Sequence, residues 1–330
     1  MGKRMKAKRL ISALLVSTAL SISSVSVYAE DDPVSLILRG DNEALAQVRE
    51  GFKQDLRGYV STEERVFSGD DIGADAVGRH IEEVDPDLVL LLGNKSINAY
   101  REYQKSTDKD SYPPAVMAAA LYADLLVERV DNSTAVLYEI PLVTSVINFR
   151  SVLEKPIDKV GVVYREWLTD FIDQNERYAQ FEAVDLVRAE VSEDGGDPVT
   201  QVNEGLEELL AKDVDMIWMI NDNKLLTPKL LTSAWIPQLS KSSVPVLTGV
   251  EVLLESRFQL GTMATLPDHY SLGVQAASIA LDIVDGDGSA DDVDVEEPRT
   301  TERLLNMDMS KKKGIDLKED AADSVDRIIE

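Results

Sequence analysis

The sequence predicts an α/β protein of two similar doubly wound parallel-sheet lobes joined by crossover hinges. A tract that occurs twice carries most of that expectation. Asp85-Pro86-Asp87 leads into Leu88 to Leu92 and then Gly93-Asn94-Lys95-Ser96, while Asp213-Val214-Asp215 leads into Met216 to Ile220 and then Asn221-Asp222-Asn223-Lys224. Each copy is a short apolar run entered through acidic turn residues and left through small polar ones, which is how a strand buried on both faces reads. Two further pairs follow in the same order. Val34 to Leu38 before Arg39-Gly40-Asp41 matches Val160 to Val163 before Tyr164-Arg165-Glu166, and Ala135 to Glu139 after Asn132-Ser133 matches Pro245 to Gly249 after Ser242-Ser243. Ordered strands with helical stretches between them predict doubly wound lobes.

Along the chain, residues 1–29 read as a cleaved secretory signal. Lys3, Arg4, Lys6, Lys8 and Arg9 precede the apolar stretch from Leu10 to Val16, and Val27-Tyr28-Ala29 puts small residues at the cleavage positions. The apolar run is interrupted by Ser12, Ser17, Thr18 and Ser21, short of the roughly 20 residues a bilayer requires. There is no cysteine, hence neither a disulfide framework nor a lipid attachment point, and the expected product is soluble and periplasmic. The first lobe is assigned to 30–145, with about 262–300 returning to it. Asp41 is placed to cap a helix carrying Ala44, Leu45, Val48 and Phe52. The second lobe is assigned to 146–261, with about 301–330 packing on it, and contains the stripe Val202, Leu206, Leu209 and Leu210. The hinges are expected near Glu139 to Asn148 and Ser256 to Thr265, where Pro141 and Gly261 mark non-helical chain.

Charge excludes one class of partner. The chain has 34 Lys and Arg against 60 Asp and Glu, a net charge of −26, and loss of the five basic leader residues makes the balance more acidic still. Nucleic acid recognition needs a basic face, and the one cluster outside the leader is Lys311-Lys312-Lys313. Enzyme classes also lack their signatures: there are only two histidines, His80 and His269, no Gly-rich phosphate loop and no Gly-x-Ser-x-Gly elbow. No catalytic residue, metal or cofactor is assigned. Asp285 to Glu296 has oxygen donors at calcium-loop spacing, but Ala290 stands where the sharp turn requires glycine, so it reads as a solvated acidic loop. Trp218 lies within a strand and reads as core, while Trp167 and Trp235 are open to either core or ligand stacking.

Ligands of parallel α/β lobes approach the carboxyl ends of strands, where helix N-termini offer unpaired N–H groups. The residues at those ends are Gly40, Asp41, Asn94, Lys95, Ser96 and Glu139 from the first lobe. From the second they are Tyr164, Arg165, Asn221, Asp222 and Glu251. Each could instead cap its helix. Asp222 is expected to take a cationic group, and Ser96 with nearby N–H groups an anionic one.

Residues Lys159 to Tyr164, Asp215 to Asn223, Val244 to Leu247 with Gly261, Tyr270 to Ala277, and Leu305-Asn306-Met307 with Gly314-Ile315 together resemble the periplasmic substrate-binding proteins of ABC transporters, the type I fold family that includes tryptophan and tyrosine binders. The resemblance covers most of the chain beyond the leader. It implies a monomeric Venus-flytrap protein that closes on a small molecule, an amino acid or related zwitterion, and hands it to an ABC permease. A sensor that reports occupancy to a membrane receptor is the alternative. Asp222 falls where the family often meets a ligand amino group. Gly93-Asn94-Lys95-Ser96 departs from the family's small residue, Thr or Ser, and Pro; Ile140-Pro141 departs from its Asp-Pro.

Overall fold

The computed structural model describes residues 33–68, 72–107, 109–258, 260–286 and 288–329; the expected leader lies outside them. The first lobe alternates strand and helix: β1 Val34–Gly40, α1 Glu43–Asp55, β2 Ser61–Phe67, α2 Ala74–Val84, β3 Leu88–Leu92, α3 Gly93–Ser106, β4 Ala115–Ala118, the short α4 Asp124–Val127 and β5 Ser133–Ala135. Its strands lie in the order β2-β1-β3-β4-β5, every pair parallel. The period of two sorts the core residues onto opposite faces of the sheet. Ile37, Leu88, Leu90 and Leu92 pack with Leu45, Val48 and Phe52 of α1, whereas Leu36, Leu38, Val89 and Leu91 pack with Val77, Ile81, Ile97 and Tyr100 of α2 and α3.

The second lobe comprises α5 Leu142–Arg150, β6 Lys159–Arg165, α6 Thr169–Phe181, β7 Asp185–Val191, α7 Pro198–Ala211, β8 Met216–Met219, the short α8 Pro228–Leu230 and α9 Ile236–Leu239, β9 Val246–Thr248 and β10 Met263–Pro267. The chain then sends α10 His269–Asp285 back to the first lobe and returns for β11 Thr301–Asn306, α11 Met307–Lys313 and β12 Arg327–Ile329. The sheet order is β12-β11-β10-β9-β8-β6-β7, with β11 antiparallel to β10. Val160, Val162, Met216 and Trp218 pack toward α5 and α6; Val163, Ile217 and Met219 pack toward α7. The buried Lys313 ties α11 to this lobe by donating to the Leu239, Ser242 and Val244 carbonyls.

Close packing of α1 against α10 seals the first lobe. A Cβ added at Gly273 would sit 1.9 Å from Val48 O, and one at Gly51 would sit 2.0 Å from Tyr270 O, so both crossing points require glycine. Three crossovers link the lobes. The outgoing chain at Val136 forms a parallel bridge with the returning chain at Glu296, Leu137 N–H donating to Glu296 O at 2.8 Å and Glu296 N–H to Ala135 O at 3.0 Å. The passage from β10 to α10 is fixed by Asp268, whose carboxylate caps α10 at Ser271 N–H.

The structure revises several expectations. The third strand pair was mismatched: β9 lies beside β8 as β4 lies beside β3, so Val246–Thr248 corresponds to Ala115–Ala118 and β5 corresponds to β10. Polar turns before apolar runs occur at every parallel strand and do not identify which strand follows. The helix after β1 is capped by Asn42, which accepts from Leu45 N–H, and not by Asp41. Pro141 is non-helical, being the N-cap of α5, but residues 142–148 of the expected hinge belong to that helix, and Leu142, Val146 and Phe149 already pack in the second lobe's core. Conversely β10, residues 263–267, remains in the second sheet, so the return to the first lobe starts at Asp268. Glu296 is engaged by Gln275 Nε2 at 2.6 Å and Arg299 Nη2 at 2.9 Å, which occupies the carboxylate that a calcium loop would need; Asp287 lies outside the described residues.

Candidate functional site

The carboxyl ends of both sheets open onto a cavity of about 500 Å³. From the first lobe it is lined by Gly40 and Asp41 after β1, Phe67 at the end of β2, and Gly93, Asn94 and Lys95 at the start of α3. From the second lobe come Asn221 and Asn223 after β8; Tyr138 of the outgoing crossover and His269 at the start of α10 complete the wall. Five of the expected residues, Gly40, Asp41, Asn94, Lys95 and Asn221, are thus brought together. Asn94 is held rigidly, its Nδ2 donating to Leu121 O at 2.8 Å and its Oδ1 accepting from Leu121 N–H at 2.9 Å. Tyr138 Oη and His269 Nε2 lie 2.9 Å apart with the rings stacked at 5.8 Å. Burial pushes the His269 pKa down, favouring the neutral imidazole, and pushes the Tyr138 hydroxyl up to about 12.

Behind Tyr138 and Asn221, which border both spaces, lies an inner chamber of about 30 Å³. Its walls are the apolar Ile140, Phe171, Trp218 and Leu247, with Tyr122, Glu139, Thr248 and Thr265 as polar members. Glu139 Oε1 accepts from Tyr122 N–H at 3.0 Å, and burial raises its carboxyl from the usual 4.5 to about 7. The hydroxyls of Tyr122 and Thr265 are buried without a hydrogen-bond partner. Tyr122 stands edge-on to Phe171 and Trp167, and Phe171 also leans on Trp218.

The remaining expected residues are spent elsewhere. Asp222, only 2% exposed, receives Arg165 Nε at 2.7 Å and Arg165 Nη2 at 3.1 Å, and caps Lys224 N–H at 2.8 Å. Its charge is paired within the lobe, and it lines neither the cavity nor the inner chamber, an arrangement unlike the free carboxylate expected to receive a cationic group. Arg165 is consumed by the same pair and lies 5.0 Å over the Trp167 ring. Ser96 Oγ turns back along its helix to Leu92 O at 2.9 Å, and Tyr164 Oη donates to Glu190 Oε2 at 3.0 Å. Glu251 is exposed and pairs with Arg327 at 2.9 Å. Sequence reasoning did not place Tyr138, His269, Tyr122 and Thr265 in the site. Isolated aromatic and hydroxyl side chains at a strand end, a loop or a crossover leave no periodic signal, although the Asp268-His269-Tyr270 segment does return between the lobes.

No protein-family model and no curated protein sequence matches the chain. Solved structures do. A conserved domain protein from Vibrio cholerae superposes with a TM-score of 0.58 at 18% identity, over 90% of this chain and 99% of that one. An ABC domain in complex with L-Trp from Streptococcus pneumonia gives 0.54 at 18%, over 90% and 100%. A ligand-free, open substrate-binding protein with adhesive properties from Clostridium difficile gives 0.61 at 15%, over 87% and 96%. The chain has the type I periplasmic-binding-protein fold. In this binding-protein fold the cavity occupies the junction of the two lobes, where the crossovers meet the strand ends. Among the described residues no helix is long and apolar enough to cross a membrane, and no group of three or more His, Asp or Glu side chains could hold a metal ion.

Proposed function

We propose that the protein is a periplasmic solute-binding protein that captures a small molecule between its lobes and delivers it to an ABC transporter permease. The observation that carries this reading is the cavity of about 500 Å³, to which both lobes contribute polar side chains. Its volume suits a small organic ligand. Asp41, Asn94 and Lys95 on one side and Asn221 and Asn223 on the other give it donors and acceptors of both kinds. An amino acid or related zwitterion fits that mixture, and the similar L-Trp-bound ABC domain agrees with it. Cleavage after Ala29 would release the protein into the periplasm. Pairing of the outgoing and returning crossovers makes them a compact hinge about which two rigid lobes can close.

Native mass spectrometry of freshly purified protein tests the reading. A small-molecule adduct that is lost on denaturation and restored by calorimetric titration is the expected result, with a smaller radius of gyration in the loaded protein. Protein that carries no adduct and responds to no solute in a broad metabolite set would overturn it.

A further inference from the structure

The inner chamber is built for a particular end of the cargo. Of the side chains that line it, Glu139 alone carries a charge, and neither Lys, Arg nor His is among them. Tyr122 and Thr265, 5% and 3% exposed, contribute hydroxyls that have no partner. A buried polar group left unpaired costs stability, so such groups in a chamber mark the place of a missing partner. Its volume of about 30 Å³ admits one water-sized group and excludes anything as large as a ring. Phe171 and Trp218 add aromatic walls, which attract a cation. A carboxylate and two hydroxyl oxygens offer three acceptors, the number of N–H donors on a primary ammonium.

We propose that the inner chamber is the amine subsite of the binding cleft, Glu139 accepting a primary ammonium with Tyr122 and Thr265 while the rest of the cargo lies in the outer cavity. The assignment rests on the solute-binding reading above. It gives the cargo a direction: the amine points between the crossovers, and an acidic end faces Asn94 and Lys95. It also replaces Asp222, whose carboxylate is taken by Arg165.

Proton linkage provides a readout of the carboxylate. On its other side Glu139 borders a hollow with Asp124, Tyr178 and Glu297; Asp124 and burial both favour its protonated form, and the Arg165–Asp222 pair stands beyond Tyr122. An ammonium binds the ionised form, so affinity must fall as pH drops below about 7.

The test is calorimetric titration of the full protein with the twenty L-amino acids and their N-acetyl derivatives. We expect at least one amino acid to bind and its N-acetyl form to bind at least tenfold more weakly. Its affinity should fall close to tenfold between pH 7.5 and 6, as expected for a carboxyl titrating near 7. Glu139→Gln should weaken binding by about tenfold to a hundredfold, the range for a charge-assisted hydrogen bond, and flatten the pH profile. Tyr122→Phe and Thr265→Val guard against a folding defect in that variant. Each removes an unpaired hydroxyl, so the apo protein should be no less stable while binding weakens several-fold. Equal affinity for the amino acid and its N-acetyl form, or unchanged binding in Glu139→Gln, would overturn the amine subsite and leave solute capture standing. So would a retained adduct without an amine. Binding of non-amine solutes alone would likewise overturn the subsite, and absence of both an adduct and any response across the broad metabolite set would overturn subsite and solute capture together.

Discussion

Gly40 and Arg165 occupy corresponding positions at the ends of β1 and β6, and Asn94 and Asp222 correspond at the ends of β3 and β8, so the two lobes finish these ends differently. In the second lobe Arg165 turns inward to Asp222 on the neighbouring central strand. In the first lobe glycine and an amide stand in place of that arginine and carboxylate, and Arg39, one residue earlier on β1, pairs with Glu64 on the edge strand at 2.6 Å. Asn94 is then free to clasp Leu121 with both ends of its amide. Two differences in a duplicated framework, Gly40 for Arg165 and Asn94 for Asp222, therefore decide where the charge goes. The second lobe presents a neutralised pair and the first presents Asp41 and Lys95 to the cavity. A carboxylate at a strand end identifies a ligand group only when no cation of the same lobe reaches it first.

The largest effect should come from breaking the buried pair. Asp222→Ala leaves Arg165, whose side chain is 12% exposed, facing only the more distant Glu193 at 3.4 Å. Removing one partner of a buried pair costs about 3 kcal/mol or more, because the other charge stays desolvated. Thermal and urea melts should show that loss, and Arg165→Met combined with Asp222→Leu should recover most of it. Asp222→Ala with parental stability would mean that the two strand ends are equivalent after all.

Glu139→Gln should act next, with a size set by pH. Burial raises the carboxyl from 4.5 to about 7, so between those values the folded state holds the proton more tightly than the unfolded chain. Stability from this group is therefore full at low pH and declines as pH rises from about 4.5 to 7. Glutamine resembles the protonated form. The variant should match the parent at pH 4 and exceed it by about 3 kcal/mol at pH 8. Equal melting temperatures at both pH values would show that the inner chamber is wetter than its walls indicate.

These two carboxylates also mark how far the sequence could be read. The all-buried strand Leu88–Leu92 and its counterpart Met216–Met219 were legible because a strand covered on both faces is apolar throughout. The edge strand Ser61–Phe67 alternates exposed and half-buried polar residues, has no such run, and was missed with its counterpart β7. Site membership was legible only as position in the chain. Strand ends are polar whether they face a ligand, a helix N-terminus or an arginine; the choice between Lys95 in the cavity and Ser96 turned to Leu92 O depends on helix phase. The crossovers were harder still, because Tyr138 and His269 are 131 positions apart and meet only in the fold.

Asn94→Ala tests the first lobe's side of the comparison and should cost less than Asp222→Ala. It removes two hydrogen bonds to Leu121 without stranding a charge, for a loss of about 1–2 kcal/mol. The loop that carries Leu121 also supplies Tyr122, so solute affinity should fall along with the melting temperature. A normal affinity in the destabilised variant would show that the loop is positioned by its other contacts.

The smallest stability effect is expected at Asp41, and it is informative for that reason. Asp41 is exposed at the cavity rim, where its carboxylate accepts from Ser68 Oγ at 3.3 Å, and Asn42 performs the capping next to it. Asp41→Asn should leave stability within about 0.5 kcal/mol of the parent. Its effect on binding should be electrostatic: with one negative charge removed beside Lys95, a cargo whose acidic end faces the first lobe should bind up to about fivefold more tightly at low salt. At about 1 M salt, where the screening length shrinks to about 3 Å, the gain should vanish. A gain that survives high salt would point to a steric contact with the cargo instead, and weaker binding would reverse the proposed direction, placing the cargo's cationic end against the first lobe.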